Sequence, residues 1–266
     1  MAIDFTLTPE QKTLQNTVRE FARATLAPLV AASDAEPDPQ KGFQMIKPAY
    51  VEAYKLGLAM GFIPEEYGGG GVSNVDLQLV AEEIAAVDPG FACVLLVNGL
   101  SLLPLVWFGD ERLKQKWLTK ATSDPTGEFL SGWVVSEPAG MPGGTANFDH
   151  PDPFPVGIGV TADLDKGNGE YVLNGRKYWP SSSAGWDMQG AGLNVVIART
   201  EKGAGGKKGL SVILVPRGTP GVRYEPTIDK LGHRLNQNAD IVFENCRVPD
   251  ENVGGRRPFE DVRIVY

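Results

Sequence analysis

Two short stretches of the sequence combine tryptophan side chains with hydroxyl groups where predicted strands end. They are WVVS, residues 133–136, and KYWPSS, residues 177–182. Because side chains alternate along a strand, Trp179 and Ser181 should share one face of their strand. Trp133 and Val135 should share a face of theirs in the same way. An indole offers a flat surface to a planar heterocycle, and a hydroxyl beside it can hydrogen-bond to a ring nitrogen. The pattern indicates a site for a flat cofactor, with ordinary core packing of two tryptophans as the open alternative.

The first of these stretches runs into a loop rich in glycine and proline. Residues 137–144 read EPAGMPGG. Glycine has no Cβ, so such a loop lets backbone amides approach a polar ligand closely. A strand followed by an ordinary flexible loop is the plainer interpretation, and both stay open on these residues alone.

Composition narrows the class of protein. The 266 residues are 42% hydrophobic and 22% charged, which is globular and allows about two domains. A formal net charge of −8 argues against a nucleic-acid partner. The two cysteines, Cys93 and Cys246, define no disulfide framework, and with His150 and His233 they form no metal-ligand spacing.

The most apolar segment of the chain raises the question of whether the protein spans a membrane. Residues 91–108 are nearly apolar but include Asn98, Ser101 and Pro104, which favours a buried core helix over a membrane span. The opening residues MAID lack the basic and apolar regions of a signal peptide. We therefore expect a cytoplasmic protein without a membrane span.

Helical periodicity occupies the chain up to about residue 125. Thr8 and Gln11 have the spacing of a capping box, with Pro9 at the first helical position. Apolar residues at three- and four-residue steps then predict five helices. They run from residue 9 to 26, 48 to 56, 73 to 84, 91 to 108 and 110 to 121.

Short β-rich runs separated by turns follow. The predicted strands are Phe129–Val135, Val156–Ala162, Tyr171–Leu173, Lys177–Trp179, Asn194–Ala198, Leu210–Val215, Val222–Tyr224 and Ala239–Phe243. Asn174-Gly175 predicts a hairpin between the third and fourth of these. The fold class is therefore an α+β multidomain protein, with an all-α domain over residues 1–126 and a small antiparallel β-barrel over residues 127–250. Residues 251–266 are expected to open a linker or a C-terminal helical region.

Several stretches, in order, resemble the acyl-CoA dehydrogenase family of flavoproteins. LTPEQKTLQNTVREFARATLAP is similar to the first helix of the family, and the PEEYGG turn lies within a stretch similar to its second and third helices. WVVSEPAG resembles the flavin-loop motif, and LNGRKYWPSSS resembles Asn-Gly-x-Lys-x-Trp-Ile-Thr-Asn. LGHRLNQNADIVFENCRVPDENV is similar to the stretch that closes the β domain. The resemblance covers essentially the whole chain.

The resemblance implies FAD as the cofactor. Trp133, Val135 and Ser136 would lie along the pyrimidine side of the flavin, where Ser136 would donate toward N1 and O2. Trp179 would cover the ring and Ser181 would reach N5. Preorganised donors at N1 and O2 would stabilise the negative charge of reduced flavin.

The resemblance also implies α,β-dehydrogenation of an acyl-CoA, with electrons passing to an electron-transferring flavoprotein. Leu96 and Val97 would lie at the floor of the acyl pocket, and Met141 and Arg234 would also contact substrate. For Leu96 and Val97 core packing is the alternative, and for Arg234 a surface salt bridge.

The chain departs from the family pattern at three places. In the loop of residues 139–145, Pro142 replaces the usual serine and has no N–H, so Thr145 is the candidate to replace its cofactor contact. Residues 147–156 resemble an insertion near the substrate mouth. The family's C-terminal helical-bundle domain, which carries the usual catalytic glutamate, is expected to be absent from this chain, leaving the catalytic residue unassigned. We expect a homo- or hetero-oligomer in which the base comes from outside this chain.

Two other functions stay open. One is an oxygen-using flavin oxidase or monooxygenase on the same fold, favoured by the altered loop after Ala139. The other is a non-catalytic subunit of a heteromeric complex, which would keep the fold without turnover. The identity of any acyl group cannot be read from these residues, because fold does not determine chemistry.

Overall fold

The computed structural model of the protein describes residues 6–138, 152 and 157–256. The first half is helical, and the prediction of a helical domain followed by a β domain is confirmed. The helices are α1 (Pro9–Phe21), α2 (Ala27–Ala35), α3 (Pro39–Met45), α4 (Lys47–Lys55), α5 (Asn74–Ala85), α6 (Pro89–Phe108) and α7 (Glu111–Thr122).

Reciprocal capping boxes lie where two of these helices begin. The Thr8 hydroxyl accepts from the Gln11 amide, and the Gln11 side chain accepts from the Thr8 amide. Ser73 and Asp76 form the same reciprocal pair before α5. Each pair satisfies amides that have no partner within the helix, so the predicted capping box at Thr8 is confirmed.

Two short helices, α2 and α3, are missing from the prediction. A single π-helical turn, Ala22–Leu26, joins α1 to α2. Pro28 has no amide hydrogen and cannot donate to the carbonyl one turn earlier, so the regular α-helical bonding is interrupted here. The preceding amide, that of Ala27, donates to the Ala22 carbonyl, five residues back, which is the bond of a π-helical turn. The Asp38 carboxylate caps α3 by accepting from two backbone amides.

Helix α6 lies at the centre of the helical part. It has apolar residues on every side, and Asn98 and Ser101 are buried with them. It is the one helix among residues 6–138, 152 and 157–256 that is long and apolar enough to cross a membrane, and 56% of its apolar window is buried inside the protein.

The described residues of the second half form an eight-stranded sheet. Its strands are β1 (Ser131–Val134), β2 (Thr161–Asp165), β3 (Glu170–Lys177), β4 (Leu193–Arg199), β5 (Leu210–Pro216), β6 (Val222–Tyr224), β7 (Ile241–Pro249) and β8 (Val253–Arg256). The order is β6-β7-β3-β2-β4-β5-β8, with β1 added beside β4. Most pairs are antiparallel as predicted, whereas β1 and β2 each run parallel to β4.

The predicted Asn174-Gly175 hairpin is wrong. Strand β3 continues straight through these residues and pairs with β7 on both sides of them. The register shifts there, because Glu244 and Asn245 of β7 together face Asn174 of β3. The extra residue forms a bulge in β7, opposite the dipeptide. The turn between β2 and β3 lies earlier, at residues 166–169.

Strands β4 and β5 are buried on both faces. Leu193, Val195 and Ile197 of β4 pack against the helices, whereas Val196 and Ala198 pack into the interior of the β domain. A strand covered on both sides has no solvent face and needs no polar alternation, which explains its continuous apolar run. This two-sided packing joins the helical part to the sheet.

The sheet also extends beyond residue 250, where the predicted β domain ends. A short 3-10 turn, Asp250–Asn252, leads into β8. Strand β8 pairs antiparallel with β5. Residues 253–256 therefore belong to the sheet, not to a linker.

Candidate cofactor site

A cavity of about 550 Å³ lies between α5, α6, the end of β1 and the segment that follows β3. Seven residues predicted to bind a cofactor or substrate line it together: Leu96, Val97, Trp133, Val135, Ser136, Trp179 and Ser181. Its wall is mostly apolar, with serine hydroxyl groups at two places, Ser136 and Ser181. A flat heterocycle requires this combination of rings, small hydroxyl donors and apolar surface.

Trp179 reaches the cavity by a backbone conformation that the sequence did not predict. Strand β3 ends at Lys177, and Trp179 has φ +43°, in the left-handed region that bulky residues rarely adopt. The Asp240 carboxylate accepts from its amide at 3.1 Å, and the Asn238 side chain donates to its carbonyl at 2.6 Å. Trp179 is 45% exposed. Strain held by hydrogen bonds on both sides of an exposed indole is typical of a ligand site.

Trp179 and Ser181 therefore do not share one face of a continuing strand, as was predicted, although both residues line the cavity. Ser181 makes an isolated bridge to Asn238 instead of continuing the strand. The turn at Trp179, and not a regular pleat, directs both side chains to the same space. In β1 the argument holds, since Trp133 and Val135 both line the cavity.

A buried ion pair holds the end of β1 in place. Lys177 Nζ lies 2.9 Å from Glu137 Oε1, and their side chains are 0% and 2% exposed. Lys177 also donates to the Val135 carbonyl at 2.8 Å. The Glu137 carboxylate accepts from the amides of Gly159 and Val160 at 2.8 and 2.9 Å. Burial lowers the pKa of Lys177, and the adjacent carboxylate opposes that shift.

The pair explains why a glutamate follows Ser136. Glu137 is turned away from the cavity and fully engaged with Lys177 and two amides, so it is a structural residue. The Tyr178 amide donates to the Ser136 carbonyl at 2.8 Å, which ties the two predicted stretches together directly.

A second buried network attaches β1 to α6. The Asn98 side chain accepts from the Ser131 amide at 2.7 Å and donates to the Tyr50 hydroxyl. Tyr50 in turn donates to the Phe129 carbonyl at 2.6 Å. These bonds set the distance between the helix that carries Leu96 and the strand that carries Trp133. Burial raises the pKa of Tyr50 far above its usual value, so its hydroxyl stays protonated.

The remaining predicted residues lie elsewhere. Arg234 is absent from the cavity wall, and its guanidinium bonds to the carbonyls of Asp34 and Glu36 and pairs with Asp229. That geometry agrees with the salt-bridge alternative and gives no support to substrate binding. Thr145 and Met141 lie outside the described residues, as does the altered loop, so their roles stay predictions.

Several residues of the cavity wall were not predicted from the sequence. Cys93 and Leu100, on the same face of α6 as Leu96, line the cavity, as does Tyr178. The helical spacing of four residues could have identified Leu100 from Leu96. No aspartate, glutamate, histidine, lysine or arginine of the described segments lines this cavity.

Another cavity of about 530 Å³ has a different character. Four of its charged side chains form ion pairs: Lys47 with Glu128 at 2.9 Å and Arg217 with Asp187 at 2.6 Å. None of the predicted site residues lines it. The cavity lined by Trp133 and Trp179 is therefore the candidate cofactor site.

Comparison with known proteins supports the resemblance. Residues 8–124 match the family model of the acyl-CoA dehydrogenase N-terminal domain, and residues 155–246 match that of the middle domain. The chain belongs to the acyl-CoA dehydrogenase family. It is 33% identical to the short-chain specific acyl-CoA dehydrogenase of Mus musculus, over 91% of this chain and 52% of that protein. The chain thus spans about half the length of the curated relatives it matches.

Solved structures extend the comparison to oxidases. Nitroalkane oxidase of Podospora anserina superposes with a TM-score of 0.84 at 29% identity, covering 97% of this chain and 61% of that one. An acyl-CoA dehydrogenase of Bacillus anthracis complexed with FAD gives a TM-score of 0.76 at 28% identity, covering 94% of this chain and 38% of that one. The prediction of FAD is thereby confirmed at the level of the family, whose members named here are flavin oxidoreductases.

Proposed function

We propose that the chain binds FAD in the cavity and takes part in the α,β-dehydrogenation of an acyl-CoA thioester. The observation that carries this proposal is the convergence of Trp133, Ser136, Trp179 and Ser181 on one apolar space. The match to acyl-CoA dehydrogenases supports the choice of substrate class. When bound, FAD supplies the acceptor for the hydrogen that leaves the β-carbon.

The donor set of the cavity fits this cofactor. Two indoles provide flat surfaces, and the Ser136 and Ser181 hydroxyls provide donors at separate edges of the space. The walls formed by Leu96 and Val97 exclude water and accept an apolar acyl group. No described carboxylate, histidine or lysine side chain lines the wall to remove an α-proton. We therefore assign the base to residues outside the described part of the chain or to a companion polypeptide.

Exposed apolar side chains support an oligomeric assembly. Leu100 and Trp107, both on α6, are 48% and 60% exposed. Leu100 also lines the cavity, so a neighbouring element that covers it would close the site. We propose an electron-transferring flavoprotein as the electron acceptor and the cytoplasm as the location.

A flavin oxidase is the second candidate. The structural likeness to nitroalkane oxidase favours it, because that likeness covers nearly the whole chain. The two candidates differ in how the reduced cofactor reacts. An oxidase passes electrons to oxygen, whereas a dehydrogenase passes them to a protein partner.

The test begins with native mass spectrometry and absorbance of the purified protein. A flavin spectrum and the added mass of FAD are expected. Butanoyl-CoA added without oxygen should then bleach the flavin, and the colour should return slowly in air. Rapid recovery in air, with turnover of a nitroalkane, would favour the oxidase. A colourless protein that takes up no added FAD would overturn the cofactor assignment and leave the non-catalytic subunit.

A further inference from the structure

Two side-chain amides converge on the Ser181 hydroxyl at the cavity wall. Asn236 Nδ2 lies 3.1 Å and Asn238 Nδ2 lies 3.3 Å from Ser181 Oγ. The Cys93 sulfur is more distant, at 4.0 Å. Which of these groups donates determines where the serine proton points.

Two unambiguous neighbours fix the orientation of the Asn238 amide. Its Oδ1 accepts from the Lys230 ammonium, which has no acceptor atom. Its Nδ2 donates to the Trp179 carbonyl at 2.6 Å, which has no donor. Exchanging oxygen and nitrogen would break both bonds, so Asn238 presents N–H to Ser181.

Asn236 takes its orientation from Asn238. Asn236 Nδ2 donates to Asn238 Oδ1 at 3.4 Å, and the Asn236 backbone carbonyl accepts from Lys230 at 2.5 Å. A reversed amide would place two carbonyl oxygens against each other. The chosen orientation leaves Asn236 Oδ1 buried with no hydrogen-bond partner in the described structure. A buried orphan acceptor is costly, and a native protein that keeps one generally gains something by it.

Both lone pairs of Ser181 Oγ are then occupied by N–H donors, and neither nitrogen can accept its proton. We propose that Asn236 and Asn238, fixed by Lys230 and by the Trp179 carbonyl, are positioning residues that make Ser181 a one-way hydrogen-bond donor into the cavity. This inference rests on the proposed function. It gives the hydroxyl a direction that Ser181 alone, with a freely rotating proton, does not have.

A one-way donor distinguishes two forms of a bound flavin. A ring nitrogen with a free lone pair, as in oxidised flavin, can accept from Ser181. The same nitrogen carrying a hydrogen cannot donate to Ser181, because no lone pair is free. The network therefore favours oxidised over reduced cofactor.

The test measures the balance between oxidised and reduced flavin by anaerobic equilibration with a dye of known potential. It uses the purified flavin-loaded protein with any chain that copurifies. Ser181→Ala and Asn236→Leu should each shift the balance toward reduced flavin by roughly fivefold, the value of one ordinary hydrogen bond. The double variant should shift no further than Ser181→Ala, because Asn236 acts through Ser181.

A matched control separates positioning from a general effect of a lost asparagine. Asn194 is also buried, but its amide donates to the Ser183 carbonyl and the Tyr224 hydroxyl and is absent from the cavity wall. Asn194→Leu should leave the flavin balance unchanged. Asn236→Ala, smaller than the native residue, carries the test should the leucine variant fail to fold.

The outcomes are distinct. Failure of the native protein to bind FAD would overturn the proposed function and this inference with it. Normal FAD binding with a shift in Ser181→Ala, but no shift in Asn236→Leu, would overturn the inference and leave the function standing. A shift in the double variant equal to the sum of the two single shifts would also overturn it.

Discussion

Two polar networks border the cavity, and they are built in opposite ways. The closed network consists of Glu137, Lys177 and the backbone groups they bind, and its two side chains are almost wholly buried. The open network consists of Lys230, Asn238, Asn236 and Ser181, and it ends at a hydroxyl on the cavity wall. The closed network pairs a full positive with a full negative charge, whereas the open network passes hydrogen bonds through neutral amides.

The difference shows how one cavity separates stability from ligand recognition. In the closed network the carboxylate and the ammonium satisfy one another and nearby backbone groups, so little remains for a ligand. In the open network one buried oxygen, Asn236 Oδ1, goes without a partner while a proton is directed at the cavity. Loss of a residue from the closed network should therefore lower the stability of the fold. Loss of a residue from the open network should weaken ligand binding or shift the balance between oxidised and reduced flavin.

The largest effect is expected at Lys177. Lys177→Met leaves the Glu137 carboxylate buried without its counter-charge, and we expect a loss of about 3 kcal/mol in the free energy of unfolding. Chemical denaturation followed by far-ultraviolet circular dichroism measures it. Lys55→Met, which removes an exposed pair with Glu52, is the control and should change stability by less than about 1 kcal/mol.

A double variant tests the cause of that loss. Adding Glu137→Gln to Lys177→Met removes the unpaired charge and keeps an oxygen acceptor for one of the two amides, those of Gly159 and Val160, that the carboxylate binds. The double variant should be more stable than Lys177→Met alone. Equal stability of the two would show that lost packing, and not an unpaired charge, causes the effect.

The next largest effect is expected at Trp179, where a substitution should weaken ligand binding and leave stability almost unchanged. Trp179 is 45% exposed and lines the cavity. Trp179→Ala should therefore weaken FAD binding at least tenfold, through loss of stacking and apolar contact. Stability without FAD should fall by less than about 1 kcal/mol, because an exposed side chain contributes little core packing. Fluorescence titration with FAD and denaturation of the cofactor-free protein measure the two quantities.

Trp107 is the matched control for that variant. It is 60% exposed on α6 and does not line the cavity. Trp107→Ala should bind FAD as tightly as the native protein. Equal weakening by both variants would place the flavin elsewhere or show that the assembly, and not the cavity, governs binding.

The elements predicted correctly are those whose signals are local. The apolar runs of β4 and β5 and the Thr8 capping box need only short stretches of sequence to be recognised. The aromatic and hydroxyl pattern at Trp133 and Trp179 also identified both sides of the cavity. Spacing and side-chain chemistry were sufficient for these features.

The features that were missed depend on distant parts of the chain. Asn174-Gly175 has a strong hairpin signal, but pairing of β3 with β7 on both sides overrides it. The left-handed turn at Trp179 is held by Asn238 and Asp240, about 60 residues away. The two asparagines beside Ser181 carry no motif signal, because their role exists only after the fold brings them together.

The smallest expected effect concerns the charge of Lys230 in the open network. Burial lowers the pKa of Lys230 to about 8, and the neighbouring Cys93 and Asp88 pull it the other way. Below pH 8 the ammonium is charged in both the folded and the unfolded chain, and the folded state bears the cost of burying it. Between about pH 8 and the ordinary lysine value near 10.4, the folded state has lost the proton that the unfolded state still holds.

Stability conferred by Lys230 should therefore rise with pH across this window. The free energy of unfolding of the native protein, measured relative to Lys230→Met, should increase between about pH 7.5 and 9.5. Glutamine does not titrate either, so the native protein should gain stability over Lys230→Gln across the same pH range, although this variant keeps a donor for Asn238. If the difference in unfolding free energy between the native protein and these variants does not change with pH, no charge is buried at this end of the open network. Ser181 would then be oriented by the amides alone, and the contrast with the closed network would lie only in its neutral links.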